Sequence, residues 1–258
     1  MKTKEEIVTN WLPRYTGVPV NEFAEYILLT NFQSYVNTFA EKFSVPVLGL
    51  DRPMPSATCA TSNISIINYQ MGSPNAATIM DLLSARKPKG VLFLGKCGGL
   101  KKSTEIGHFI LPIAAIRGEG TSHDYFPPEV PALPSFKMHK FVSEKLVERK
   151  LEYRTGVVYT TNRRIWEHDA AFRERLSAMT CLGIDMETAT IFIVGHKNNI
   201  PRGALLLVTD VPTTPEGVKT EASDKIVTTK WAEAHLDIGI QSLVEIQTQG
   251  EEIKHFNF

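Results

Sequence analysis

Short apolar or β-branched runs alternate along the chain with segments of helical spacing. Runs at 26–30, 45–48, 64–69, 90–95, 107–116, 156–161, 180–184 and 203–209 predict strands. Those at 91–94 and 204–208 have no polar face. A strand without a polar face is covered by helices on both sides, so both are expected at the centre of a sheet. Helical spacing predicts helices at 34–43, 74–85, 136–149, 169–178, 187–198 and 221–246, after a mixed polar helix at the N-terminus. In the last helix Ile226, Trp231, Ala234, Ile238, Ile240 and Leu243 form the expected core stripe. No repeat or linker interrupts the alternation, and the proline-rich stretch 127–134 reads as a rigid surface loop. The prediction is an α/β fold with a central mixed sheet flanked by helices, one domain over 1–258 with its core at about 26–246.

Composition narrows the partners. The 258 residues carry 28 Lys+Arg against 28 Asp+Glu, so the formal net charge is zero. Balanced charge argues against nucleic acid and against an anionic membrane surface, and leaves room for a small local basic pocket. No apolar run approaches the ~18 residues of a membrane span, and the first residues have no signal-peptide character. A cytoplasmic protein is expected. Cys59, Cys97 and Cys181 are far apart and read as buried thiols, and Asn63-Ile64-Ser65 as a chance sequon. The seven histidines are scattered without metal-ligand spacing, most of them expected at the surface, so no metal is predicted.

In an α/β sheet ligands gather at the carboxyl ends of strands, and four such places carry unusual residues. Met71-Gly72-Ser73-Pro74-Asn75-Ala76 joins a strand to a helix start and offers free N–H groups, although such turns are common. Gly95-Lys96-Cys97-Gly98-Gly99 reads as a turn in which glycines let the backbone approach a ligand and Lys96 adds a cation. Asp185 and Glu187 precede an apolar helix; they serve either as caps or as acceptors for a vicinal diol. Asp210 ends the run 204–208, where it either caps a turn or acts as an acid whose pKa partial burial raises. The loops 117–124 and 159–166 mix hydroxyls, arginines and aromatics. Each alone is a solvated loop; together they suit a phosphate and a flat base. There is no phosphate-binding Walker loop, dinucleotide fingerprint, serine-hydrolase elbow or zinc-protease motif.

Taken in order, Met71–Ala76, Gly95–Gly99, Ala115–Thr121, Ile184–Ala189 and Leu207–Asp210 resemble the nucleoside phosphorylase/nucleosidase superfamily. The stretches 117–122, 127–131 and 159–168 are similar to its AMP-hydrolysing branch, whose fuller bacterial members carry an additional N-terminal domain. The resemblance implies that Asp210 protonates the purine ring nitrogen as the base departs. It implies that Met186 packs on the ribose and Glu187 accepts its 2′ and 3′ hydroxyls. Asn75, Lys96 and Gly98 fall beside the nucleophile, Trp166 is the candidate for stacking on the base, and Thr160 and Asp185 join the binding residues. Phosphorylases of this superfamily hold inorganic phosphate with a Gly-Asp-Pro-x-Arg turn, a second arginine and a Ser or Thr. Here the corresponding places are Thr30-Asn31-Phe32-Gln33-Ser34, Phe93 and Lys96. Phe93 has no donor for phosphate, so water is the expected nucleophile. Arg117, Ser122, Arg163, Arg164 and Lys219 exceed the needs of a neutral nucleoside and suit a 5′-phosphate. The expectation is cofactor-free hydrolysis of the small molecule AMP by a homo-oligomer, a trimer of dimers by resemblance. The alternatives are a purine or pyrimidine nucleoside phosphorylase and a non-catalytic nucleotide-binding module.

Overall fold

The computed structural model describes residues 1–214 and 217–249, the side chain of Ser223 excepted. Eight strands, β1 (Tyr26–Thr30), β2 (Ser56–Cys59), β3 (Ile64–Asn68), β4 (Gly90–Gly99), β5 (Phe109–Gly118), β6 (Tyr153–Thr161), β7 (Gly183–Asp185) and β8 (Arg202–Asp210), build one mixed sheet. The helices among the described residues are α1 (Lys4–Thr16), α2 (Gln33–Phe43), α3 (Ser73–Leu82), α4 (Phe136–Glu148), α5 (Ala170–Ala178), α6 (Thr188–Lys197) and α7 (Glu221–Gln249).

The sheet runs β2-β3-β1-β4-β7-β6-β5-β8, and β8 also pairs with β4. That second pairing closes five strands, β4, β7, β6, β5 and β8, into a ring, with β1, β3 and β2 extending from β4 as an open wing. Closure depends on the length of β4. Its first residues run parallel to β1 and β8, while Gly98 and Gly99 pair antiparallel with Ile184 and Gly183 of β7.

Two apolar layers fix the sheet between helices. On one face Ile27, Leu29, Ile67, Val91 and Phe93 pack with α1, α3 and α6. On the other, Leu28, Ile66, Leu92 and Leu94 pack with α2, α4 and α7. The odd and even positions of β1 and β4 go to opposite layers, as the period of two demands. The strands with no polar face are therefore central. Local signals agree: Thr3 and Glu6 form a capping box at the start of α1, and Asp169 caps α5 by accepting the Phe172 N–H.

Several expectations are corrected. Residues 45–48 form no strand; only Leu48 bridges to Ser56, and the edge strand is the more polar β2. The glycine-rich stretch 95–99 is the second half of β4 rather than a turn. In α7 Ile226 is exposed, and the buried stripe runs through Val227, Leu236, Ile238, Ile240, Leu243 and Ile246. Of the histidines, only His123 and His168 are exposed; His108 and His196 are half-buried, and His255 lies outside the described residues. His139 and His235 are core residues, their pKa pushed down to about 3 by burial. His235 bridges Tyr35 Oη and the Leu205 carbonyl, and His139 Nε2 accepts the Ala204 N–H. The three cysteines are free and buried.

Candidate active site

The carboxyl ends of β4, β6, β7 and β8 and the residues after β1 surround one open cleft. It spans about 730 Å³ when the open solvent at its mouth is included. Register brings its walls together: Gly98 lies opposite both Ile184 and Asp210, and Thr160 lies opposite Asp185.

Asp210, the last residue of β8, is buried and lines the cleft. Its Oδ1 accepts the Thr209 hydroxyl at 2.9 Å. Burial raises the carboxyl above its ordinary range, against that hydrogen bond and the positive charges of Lys219 and Arg164. The chain then turns through Pro212, which packs on β4. A Cβ on Gly98 would lie 2.9 Å from Pro212 Cγ, so only glycine lets the two strands meet here.

Asp185 and Glu187 sit at the start of α6, and both are buried. Asp185 accepts four hydrogen bonds, from Thr160 Oγ1 (2.7 Å), the Glu187 N–H (3.2 Å), the Thr188 N–H (2.7 Å) and the Thr188 hydroxyl (2.5 Å). Glu187 accepts fewer strong ones: the Gly72 N–H at 2.8 Å, the Met186 N–H at 3.3 Å and the Asn31 side chain. Burial and the neighbouring Asp185 charge push the Glu187 carboxyl well above the carboxylate range. Asp185 is also raised by burial, but its donors hold the negative charge there. The first proton taken up by the pair therefore goes to Glu187. Gly72 has φ +99, so glycine permits the turn that aims its N–H at Glu187. The turn before α3, an ordinary feature in the sequence, is thereby part of the site. Met186 lines the cleft beside this pair, and its carbonyl accepts the Ser73 hydroxyl at 2.6 Å.

The cations divide into two groups. Lys96 is only 5% exposed in its side chain and pairs with Asp224 at 3.1 Å and the Thr228 hydroxyl at 2.6 Å, with its ammonium 4.3 Å above the Phe32 ring. Lys219 pairs with the same Asp224 oxygen at 2.8 Å. Burial opposes ionisation of Asp224, and the two lysines outweigh it and hold its pKa low. Two ammonium groups thus share one carboxylate at the cleft wall. Arg163 and Arg164 stand at the mouth, about half-exposed, paired with Asp169 at 2.8 Å and Glu167 at 3.4 Å. Trp166 is buried between Phe172 and the cleft, with Glu167 beside it.

Lys96, Gly98, Arg163, Arg164, Trp166, Asp185, Met186, Glu187, Asp210 and Lys219 are brought together at the cleft. Four expected residues do not line it. Thr160 stands behind Asp185 as a hydrogen-bond donor. Asn75 is turned back onto the Met71 carbonyl at 2.9 Å. Arg117 donates to the carbonyls of Ser122, Phe126, Pro127 and Val130 and to Ser122 Oγ, so both residues fasten the 118–130 loop. Asp224 carries no local signal in the sequence, because only the tertiary fold sets it beside Lys96, 128 positions away. Asn31, Thr161, Glu167 and Thr209 also line the cleft. Glu167 and Thr209 each neighbour an expected residue, which was the available signal. Among the described residues no group of His, Cys, Asp and Glu is arranged to hold a metal ion.

A ring of five strands with an open wing, carrying paired carboxylates at one rim, defines a class. Residues 26–245 match the family model of the Phosphorylase superfamily, and the chain belongs to that superfamily. Within it, the chain is similar to AMP nucleosidases. It is 50% identical to the crystal structure of AMP nucleosidase from Bacteroides thetaiotaomicron VPI-5482, with a TM-score of 0.85, covering 96% of this chain and 100% of that one. It is 29% identical to AMP nucleosidase of Escherichia coli K12 over 94% of this chain and 59% of that protein. The chain therefore spans about three-fifths of the length of that curated relative. Uridine phosphorylase of Treponema pallidum is 26% identical over 75% of this chain and 80% of its own.

Proposed function

We propose that the protein hydrolyses the N-glycosidic bond of AMP, giving adenine and ribose 5-phosphate. The observation that carries this is the similarity to the Bacteroides AMP nucleosidase along its whole length. The cleft chemistry supports it. Asp210, with its pKa raised by burial, is suited to keep a proton and pass it to the purine ring nitrogen. The C1′–N9 bond then breaks with its electron pair leaving on adenine, and water adds its oxygen to C1′. Glu187 takes the ribose hydroxyls and sets negative charge beside the oxocarbenium-like carbon. Trp166 is the candidate to stack on the base, and Arg163, Arg164 and Lys219 to receive the 5′-phosphate. Arg117 and Ser122 are better read as supports of the 118–130 loop, since the Arg117 donors are already taken and Ser122 accepts two of them.

Water rather than phosphate as nucleophile is favoured by what stands near Lys96. Phe93 is core, stacked edge-on against Tyr69, and Phe32 covers the Lys96 ammonium. The test is adenine release from AMP and from adenosine, and base release from uridine, each with and without inorganic phosphate. Phosphate-independent cleavage of AMP alone supports the reading. Phosphate-dependent cleavage of an unphosphorylated nucleoside would replace it with a phosphorylase, and no cleavage with a binding module. The same reading takes the protein as a cytoplasmic homo-oligomer, a trimer of dimers by resemblance. Of the N-terminal aromatics, Trp11 is 42% exposed and available to such an interface, whereas Phe23 is buried in the chain's own core.

A further inference from the structure

Two buried polar atoms near Glu187 have no hydrogen-bond partner among the protein's groups: Asn31 Oδ1 and Tyr69 Oη. A buried polar atom left unsatisfied is costly, so two of them at adjoining strand ends are an observation to be explained. They are neighbours by topology. Thr30 of β1 lies opposite Asn68 of β3, and the next residues along are Asn31 and Tyr69, with the Tyr69 N–H donating to the Thr30 carbonyl at 3.0 Å. Leu29 and Ile67, two positions earlier, face the α3 and α6 layer, and Tyr69 packs in that same layer.

Asn31 lines the cleft together with Glu187, and Tyr69 is buried in the layer that packs on α6, the helix that Glu187 begins. Asn31 lines the cleft and hydrogen-bonds Glu187 through its side chain. A carboxylate with its donors already around it accepts hydrogen bonds, so the Asn31 amide must turn its NH₂ to Glu187 and leave Oδ1 free. Tyr69 is wholly buried, and its hydroxyl feels the charges of Glu187 and Asp185. At this end of β1 and β3 an acceptor, a donor and a carboxylate match in kind the two to four polar partners that a buried water needs.

We propose that Asn31 and Tyr69, together with Glu187, hold and orient the water that attacks C1′. Tyr69 Oη donates to the water, and the water donates to Asn31 Oδ1 and to the Glu187 carboxylate. As the oxygen bonds to C1′, one water proton passes to Glu187, which must be ionised at that moment, while Asp210 has given its own proton to the departing base; solvent exchange restores both. The assignment rests on the hydrolytic reading above.

The test compares wild type with Asn31→Ala and Tyr69→Phe, using AMP in buffer and in buffer with methanol. With the water unheld, kcat is expected to fall ~10- to 100-fold for Asn31→Ala, with KM for AMP within about threefold. Methanol then competes better for the ribosyl cation, so the share of methyl riboside 5-phosphate rises. A kcat within twofold of wild type, or a slower variant with unchanged methanol partition, overturns the assignment. Tyr69→Phe removes one hydroxyl and serves if Asn31→Ala fails to fold; a smaller shift in the same direction is expected, and an unchanged partition overturns it. A high-resolution crystal structure separates this proposal from the substrate reading. A water within hydrogen-bond distance of both Asn31 Oδ1 and Tyr69 Oη supports the site even if AMP proves the wrong substrate. Its absence overturns the site even if AMP is hydrolysed.

Discussion

At Asp210 and Glu187 the same burial that shapes the site also costs stability. Asp210→Asn keeps the side-chain volume and removes the transferable proton. Turnover of AMP is expected to fall at least ~10²-fold while calorimetric binding of AMP is largely kept; a near-wild-type rate would remove Asp210 as the acid. Glu187 binds its proton more tightly in the folded protein than in the unfolded chain, because burial and Asp185 disfavour its charge. A carboxyl of that kind stabilises the fold while protonated, and the contribution is lost as pH rises through its raised folded pKa. Glu187→Gln keeps an acceptor for the Gly72 N–H and cannot ionise. Its thermal midpoint is expected to exceed wild type by about 2–4 °C at pH 9, the shift that ~1 kcal/mol gives in a chain of this size, and to converge with wild type at pH 5. Activity should respond in the same sense at the other carboxylate: it declines as rising pH strips the proton from Asp210. A rate that stays flat through alkaline pH would contradict the acid role.

Among the elements, β4 has the most to do and was the least completely read. Its apolar half was evident from Val91 to Leu94, where no polar face interrupts the run. Its second half carries three glycines, which by composition signal a turn. The physical reason for them is crowding: β4 passes between β7 and β8, and Pro212 sits against Gly98. Gly98→Ala is expected to cost ~1–3 kcal/mol by overpacking and to displace Pro212 with the neighbouring Asp210. Chemical denaturation and kcat measure the two effects, and a variant as stable and active as wild type would show that the contact yields freely. The opposite error occurred at the wing, where apolar 45–48 outranked Ser56–Cys59, although pairing with β3 rather than hydrophobicity decides the strand. In α7 Trp231, Ile238, Ile240 and Leu243 pack on the core as the stripe predicts. In its first turns Asp224 and Thr228 face Lys96 at the cleft and Val227 takes the core side, which leaves Ile226 exposed. Residues at the ends of predicted strands were recoverable as site candidates. Asp224, whose role depends on a partner far along the chain, was not.

For the molecule as a whole, a formal charge of zero conceals a sorted arrangement: the cleft gathers Lys96, Lys219, Arg163 and Arg164 opposite Asp185, Glu187 and Asp210. Among the described residues no helix is long and apolar enough to cross a membrane. Exposed apolar side chains remain at Trp11, Ile113, Phe136 and Ile165. If the proposed homo-oligomer forms, light scattering at micromolar concentration will give a mass several times the 28.8 kDa of one chain, and a monomer mass would refute it.

The five-strand ring has a consequence for how the chain tolerates change. A closed ring has no free edge at which a strand can slide, so each register within it depends on all the others. One residue inserted in β4, β7, β6, β5 or β8 has nowhere to go except into a bulge, and it shifts a carboxylate off the rim. The edge strand β2 and the loops at 49–53 and 101–105 carry no such constraint. A library of single-residue insertions should therefore divide sharply, with soluble, active clones confined to those loops and β2. Survivors spread evenly through the ring strands would show that it flexes. Tolerated change would then take the form of lengthened loops and exchanged side chains around an unchanging hoop.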